Sequence, residues 1–281
     1  PIDGSVATPS QAASPGAKLE FAFTNTAAVS LTVKKVWGVP ASFNKQAVTA
    51  EIWRTTGTLD ADVEVPDFTA PGFERVAKDK INEAADSESQ YTVTLKDGLW
   101  TETITGLPKY NENGGSYTYF ALERSVGGVL VTNDPETDIS EIDFDESGIQ
   151  SIHHSHTSSE NGFASTIYNI GSFNLTVKKH WVDNEDAYQT RPNNLELTIY
   201  RHVGPTNDYT ISEKWDKVTD VEPILDTNTE APNTWIYIYE DLPYANDEGI
   251  PYTYQAEEEV PGLASPSQAQ RGTTYVGKYN P

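Results

Sequence analysis

Two lysines with nearly identical neighbours are the residues best placed for unusual chemistry. They are Lys35, within Leu31-Thr-Val-Lys-Lys-Val-Trp37, and Lys179, within Leu175-Thr-Val-Lys-Lys-His-Trp181. Both runs alternate apolar and polar residues, a pattern that predicts a β-strand. Because side chains two apart in a strand share a face, each of these lysines is predicted to point inward with its Leu, Val and Trp neighbours.

A lysine in an apolar core needs a partner, because removing an ammonium group from water is costly. The same alternation turns a carboxylate inward in a later strand of each half, namely Glu123 and Glu258. Burial lowers the pKa of a lysine and raises that of a glutamate, so such a pair can rest as neutral amine and neutral acid. The neutral amine is a nucleophile, and the protonated acid can act as a general acid.

The lysines and glutamates belong to an internal repeat. The lysines recur 144 positions apart, and four landmarks recur 135 positions apart: Trp100 and Trp235, Leu107 and Leu242, Tyr117 and Tyr252, Glu123 and Glu258. The repeat indicates two copies of one β-domain in tandem. We predict domain 1 at 28–170 and domain 2 at 171–281. Residues 1–27 are predicted to be a linker with a possible last strand of an upstream domain, because Asn25 precedes Lys35 as Asn169 precedes Lys179.

Two extra segments in domain 1, about 58–90 and 127–162, are predicted to be insertions. Apolar residues at helical spacing within 72–87 predict a short helix in the first of them. The second contains His153-His154-Ser155-His156, which we interpret as an irregular, solvated loop. Its histidines match no closed metal site and the acidic residues nearby lack a calcium-loop signature, so neither a metal nor a cofactor is predicted.

Composition restricts the classes of partner. With 42 acidic and 19 basic residues the formal net charge is -23, which argues against binding to nucleic acid or an anionic membrane. The chain has no cysteine and no methionine, even at position 1. We therefore expect a processed or excised fragment without disulfides. No apolar run is long enough to span a membrane.

The ordered motifs resemble the Cna protein B-type (CnaB) domain of Gram-positive surface adhesins and pilins. The motifs are the Lys-Lys strand with its Trp, Arg191-Pro192 before a strand in domain 2, Trp followed by Leu-Pro, Tyr-Thr-Tyr before Glu, and a closing Asn. The resemblance implies two tandem all-β sandwiches of reverse-immunoglobulin topology. It also implies an intramolecular Lys–Asn isopeptide bond assisted by an acid. The implied sets are Lys35, Glu123 and Asn169 in domain 1, and Lys179, Glu258 and Asn280 in domain 2. Asn161 is the rival to Asn169.

The resemblance further implies a stalk segment of an extracellular, cell-wall-anchored protein, with neighbouring domains as partners. Bond formation would be a single-turnover self-modification, so the chain is not predicted to be an enzyme. Two alternatives remain open. The domain 1 insertions could bind a host or matrix ligand, or the chain could be a sortase-polymerised pilin backbone.

Overall fold

The computed structural model describes residues 27–57, 72–78, 89–130, 148–160, 162–186, 189, 191, 195–226 and 233–259. Every helix or strand within these residues is a β-strand, which confirms the all-β prediction. Alternating burial along β1, with Val29, Leu31, Val33 and Lys35 all buried, shows the period of two that the sequence predicts.

Fourteen strands are described. In chain order they are β1 Ala28–Gly38, β2 Val48–Thr55, β3 Phe73–Arg75, β4 Thr92–Leu95, β5 Thr101–Pro108, β6 Thr118–Val126, β7 Val129–Leu130, β8 Ile149–Ser159, β9 Gly162–His180, β10 Glu196–Val203, β11 Asp216–Lys217, β12 Ile224–Asp226, β13 Thr234–Pro243 and β14 Tyr252–Glu259.

Domain 1 is built from two facing sheets. One has the strand order β5-β1-β9-β8, and the other has β3-β2-β6-β7 with β4 also paired to β2. Apolar side chains from both inner faces form one core that includes Leu31, Ile52, Ala121 and Ile167. Its burial removes apolar surface from water and is the main stabilising contribution. Strands β1 and β9 run parallel and side by side through this core.

Domain 2 repeats the pattern with fewer described strands. One sheet is formed by β12, β13 and the second half of β9, and the other has the order β11-β10-β14. Its core includes Leu175, Val177, Tyr237 and Tyr254. Residues 260–281, which include the predicted Asn280, lie outside the described residues, as do the linker and upstream strand predicted before residue 27.

A single strand joins the two domains. Strand β9 pairs with β1 and β8 through residues 162–171 and with β13 through residues 172–180. The domain boundary predicted between 170 and 171 therefore lies inside a strand, with no loop between the two halves.

The helix predicted within 72–87 is wrong for the described part of that range. Residues Phe73–Arg75 form β3, which pairs with β2, and Val76 donates its backbone N–H to the Ile52 carbonyl. A short apolar pattern fits both periods, and pairing with a neighbouring strand decided the outcome. Residues 79–87 lie outside the described residues.

The histidine-containing stretch is also not the solvated loop that was predicted. It lies in β8, which pairs antiparallel with β9 over most of its length. The inward positions of β8 carry Ile152, His154 and His156, and both of these histidines are buried. Because two of these three positions are histidine, the apolar alternation that usually indicates a strand is weak here.

Candidate cross-linking site

The parallel pairing of β1 with β9 brings Lys35 close to Asn169. Lys35 lies opposite Ile167, and Trp37 lies opposite Asn169, so the lysine and the asparagine occupy the same face of adjacent strands. Both side chains are buried in domain 1. The lysine Nζ also lies 4.6 Å from the centroid of the Trp37 ring.

Glu123 reaches these two residues from β6, in the opposite sheet. Its Oε2 lies 3.2 Å from Lys35 Nζ, and its Oε1 accepts a hydrogen bond of 2.7 Å from Asn169 Nδ2. The side chains of Lys35 and Glu123 are both 0% exposed. All three residues of the predicted set in domain 1 therefore meet in the core.

The protein environment shifts both members of this pair toward their neutral forms. Burial lowers the pKa of Lys35 to about 8, although the negative charge of Glu123 opposes the shift. Burial raises the pKa of Glu123, and here the opposing effects come from Lys35 and Asn169. Desolvation is the larger effect for both groups, as expected for charges moved into an apolar core.

Two oxygens at the site lack a hydrogen bond among the described residues. They are Glu123 Oε2, whose contact with Lys35 is not aligned as a hydrogen bond, and Asn169 Oδ1. Turning the Asn169 carboxamide over would place its oxygen against Glu123 Oε1. A protonated Glu123 would then donate to that oxygen and polarise the Cγ carbon.

Two further residues of the site escaped sequence reasoning. The backbone N–H of Glu123 donates to His154 Nε2 at 3.1 Å, and that of Ala121 donates to Ser165 Oγ at 2.9 Å. These amides lie on the edge of β6 that does not face β2, so side chains from β8 and β9 satisfy them in place of a strand. The sequence signal for His154 is its position two residues after Ile152, which places both side chains on the same face of a strand.

Domain 2 contains the equivalent lysine and glutamate in a more open setting. Lys179 Nζ donates to Glu258 Oε2 at 2.6 Å, and each side chain is 26% exposed. The amine also lies 4.8 Å from the Trp181 ring, as Lys35 lies near Trp37. The predicted third member, Asn280, lies outside the described residues, and so does Asn161, the rival to Asn169 in domain 1.

No cluster of three or more His, Asp or Glu side chains among the described residues could hold a metal ion. The described residues also contain no helix of the length and apolarity needed to cross a bilayer.

The fold and site agree with one domain family. The family model for the Cna protein B-type domain matches residues 75–140 and 175–276, which is more than half of the chain. The chain therefore belongs to this family. Comparison with curated proteins gives no significant match.

The solved structures that resemble the chain include a pilus adhesin and two major pilins. The pilus adhesin SpaC of Lactobacillus rhamnosus GG aligns at 14% identity and a TM-score of 0.30, over 84% of this chain and 20% of SpaC. The major pilin SpaD of Corynebacterium diphtheriae aligns at 10% identity and a TM-score of 0.22, over 82% of this chain and 62% of SpaD. The major pilin of Streptococcus pyogenes aligns at 12% identity and a TM-score of 0.20, over 84% of this chain and 83% of the pilin. The chain thus spans about a fifth of the SpaC chain.

Proposed function

We propose that domain 1 closes itself with an isopeptide bond between Lys35 and Asn169. The neutral Nζ of Lys35 attacks Cγ of Asn169, the bond from Cγ to the amide nitrogen breaks, and ammonia leaves. Glu123 donates its proton to the carboxamide and recovers one from the attacking amine, so it ends unchanged. Because the fold holds the reactants together, one slow turnover in the life of each molecule is enough.

The observation that carries this proposal is the contact of one buried Glu with both reactants. A fully buried Lys–Glu pair is expensive to maintain as ions, and breaking it by removing one partner leaves an uncompensated charge. Conversion of the neutral amine to an amide leaves a group that cannot take up a proton, and Glu123, whose pKa burial raises, stays neutral beside it. A core that contains the amide is therefore expected to be more stable than one that contains the buried Lys–Glu ion pair.

Domain 2 is proposed to form the corresponding bond between Lys179 and Asn280 with the help of Glu258. The support is the repeated Lys–Glu contact and the shared stacking of each lysine near its Trp. Neither bond would make the chain an enzyme, since no external substrate is turned over.

The role that follows is a stalk or shaft segment of a Gram-positive surface protein, such as an adhesin or a pilin. Membership in the Cna B-type family supports it, and so does a chain that has no cysteine available for disulfides. The alternative of a ligand-binding loop in 127–162 loses part of its basis, because residues 149–159 of that segment form the strand β8 of the sandwich.

Intact mass tests the chemistry. Each bond should lower the mass by about 17 Da, the mass of the ammonia that leaves. Lys35→Met should keep only the loss from domain 2, and Lys179→Met only the loss from domain 1. Lys34→Met is the matched control, since that exposed neighbour lies on the other face of β1. A wild-type mass equal to the sequence value would refute the proposal.

Thermal unfolding tests the benefit of the bond. A cross-link that closes a loop of more than a hundred residues should contribute about 4–5 kcal/mol, on the chain-entropy model used for disulfides. Lys35→Met fills the space with an apolar chain, and Glu123, whose pKa burial raises, can stay protonated without its partner. A fall in Tm on the order of 10 °C would then report the lost bond. An unchanged Tm would argue against a stapling role.

A further inference from the structure

The turn between β13 and β14 of domain 2 packs against the end of domain 1. A methyl group placed on Gly249 would lie 2.8 Å from Val36 Cγ1. One placed on Gly38 would lie 2.8 Å from Ala245 Cβ and 3.2 Å from the Gly249 Cα atom. Two glycines thus allow the backbones of the two domains to approach more closely than side chains would permit.

Polar contacts surround this close approach. Gln150 of β8 donates from Nε2 to the Asp241 carbonyl at 2.9 Å. His153 Nε2 lies 3.3 Å from Asp247 Oδ1, at the tip of the turn. The end of domain 1 therefore offers a glycine, an apolar side chain and a basic residue to the turn.

Domain 1 contains the same turn between β5 and β6. Residues 110–116 are bridged at their base as residues 245–251 are. Asn111 and Asn246 each accept two backbone N–H groups with the side-chain oxygen. Gly114 and Gly249 both have positive φ, 81° and 73°. The anchoring bonds also correspond, since Lys109 N donates to Ala27 O and Tyr244 N donates to Gly171 O, each at 2.8 Å.

The two turns differ in what covers them. Ala245 is 3% exposed beneath domain 1, whereas the equivalent Tyr110 is 45% exposed. A methyl group on Gly114 would meet nothing within 4 Å among the described residues. Residues 110–116 of domain 1 thus form the same turn as residues 245–251, and they carry the large aromatic residue Tyr110. No segment among the described residues packs against this turn.

We propose that the turn at residues 110–116 is a docking surface for the end of another CnaB-type sandwich on the N-terminal side. The last strand of that domain would run into β1 at Ala27, as β9 runs into domain 2 at Gly171. The occupant is expected to present a glycine opposite Gly114, a basic side chain opposite Glu112, which replaces Asp247, and an apolar recess for Tyr110. The inference deepens the proposed stalk function by fixing how successive domains stack, and it does not depend on the cross-links.

An internal duplication tests this surface in the full chain. A second copy of residues 27–170 is inserted after residue 26, so that the copy's strand β9 leads directly into the original Ala27. Because the chain has no cysteine, spin labels can be attached to introduced cysteines alone. Lys34 and Lys178 are both exposed and occupy equivalent places in the two domains. Double electron–electron resonance measures the distance between two spin labels. Labels at Lys34→Cys and Lys178→Cys report the natural joint, which lies between domains 1 and 2. Labels at the two Lys34→Cys sites of the duplicated chain report the new joint, which lies between the copy and the original domain 1.

The inference predicts that at least one of two duplicated chains, with Tyr110 or Tyr110→Ala in the original copy, gives a distance distribution across the new joint as narrow as that across the natural one. Gly114→Val in the original copy should broaden the new joint alone, and Gly249→Val should broaden the natural joint alone. A chain with Gly-Ser-Gly between the copy and Ala27 provides the undocked reference, because such linkers are flexible. A second duplicated chain carries Tyr110→Ala in the original copy. Alanine is the residue at the equivalent position, Ala245, which is buried in the natural joint.

Two results would overturn the inference. In the first, both duplicated chains give distributions as broad as the spacer chain. In the second, the new joint is narrow but insensitive to Gly114→Val, which would mean that docking does not use the turn. Intact mass measured on the same samples distinguishes the docking hypothesis from the cross-link hypothesis. A sample with no loss of ammonia but a narrow distance distribution across the new joint would refute the cross-links and still support the docking surface.

Discussion

Lys35 and Lys179 occupy the same place in a repeated strand, yet their surroundings differ. The side chain of Lys35 is 0% exposed and that of Lys179 is 26% exposed. In domain 1 the parallel strand β9 lies beside β1 and brings Asn169 to the pair. Desolvation by this packing is what lowers the pKa of Lys35 to about 8. The local sequence therefore predicts which face of the strand a lysine side chain occupies. The neighbouring strand determines how deeply its amine is buried.

His156, which packs beside Phe120 of β6, allows a test of the packing of β8 by pH. Burial lowers its pKa from the ordinary 6.5 to about 4. Between these values the unfolded chain binds a proton that the folded chain excludes, so stability should fall as the pH drops from 6.5 to 4. The loss attributable to this residue is up to about 3 kcal/mol. His156→Gln should flatten the dependence of Tm on pH in this window.

The matched control for that experiment is His153→Gln, on the outward face of the same strand. It should leave the acid-induced fall in Tm nearly as steep as in the wild type. If His153→Gln flattens the profile and His156→Gln does not, the buried histidine is not the source of acid sensitivity.

At the scale of elements, β8 and β9 complete the site by satisfying the unpaired edge of β6. His154 accepts the backbone N–H of Glu123, so the strand segment that carries the acid is held from the side. His154→Ala would leave this buried N–H without its acceptor, at a cost of about 1–3 kcal/mol. We expect slower ammonia loss after refolding, followed by mass spectrometry over time. Ser155→Ala, on the opposite face of β8, should react at the wild-type rate, and equal rates for both variants would contradict a positioning role for His154.

The elements also show what sequence reasoning could reach. The period-two alternation predicts that Lys35 and Glu123 face the core, because a strand has only two faces, and both side chains are buried in domain 1. Asn169 came from family resemblance, since an Asn near a chain turn has many ordinary uses. The strand β8 was not predicted, because two of its three inward side chains, His154 and His156, are polar residues that weaken the apolar alternation. The strand β3 lies in a segment predicted to contain a helix, because the few apolar residues there fit both periods.

At the scale of the whole molecule, β9 connects the two proposed bonds. Asn169 and Lys179 lie on this one strand, so tension entering β1 would cross to β9 at the first bond and pass directly into domain 2. Residues 36–168 would then bear no load. The family assignment and the docked turn at Gly249 both fit a chain built to transmit force without extension.

Force spectroscopy tests this load path. Pulled from its two ends, the wild-type chain should not release the residues between Lys35 and Asn169. Lys35→Met should release them, which adds roughly 45 nm of contour length at 3.3–3.6 Å per residue. The exposed control Lys34→Met should behave as the wild type. A wild-type chain that shows the full extension would contradict the proposed load path.

The central claim is that a lysine and an asparagine from neighbouring parallel strands become one covalent unit. Protease digestion followed by tandem mass spectrometry addresses it most directly. The account predicts a branched peptide that contains both Lys35 and Asn169 and is about 17 Da lighter than its two parts together. Recovery of Lys35 and Asn169 in separate, unmodified peptides would contradict it.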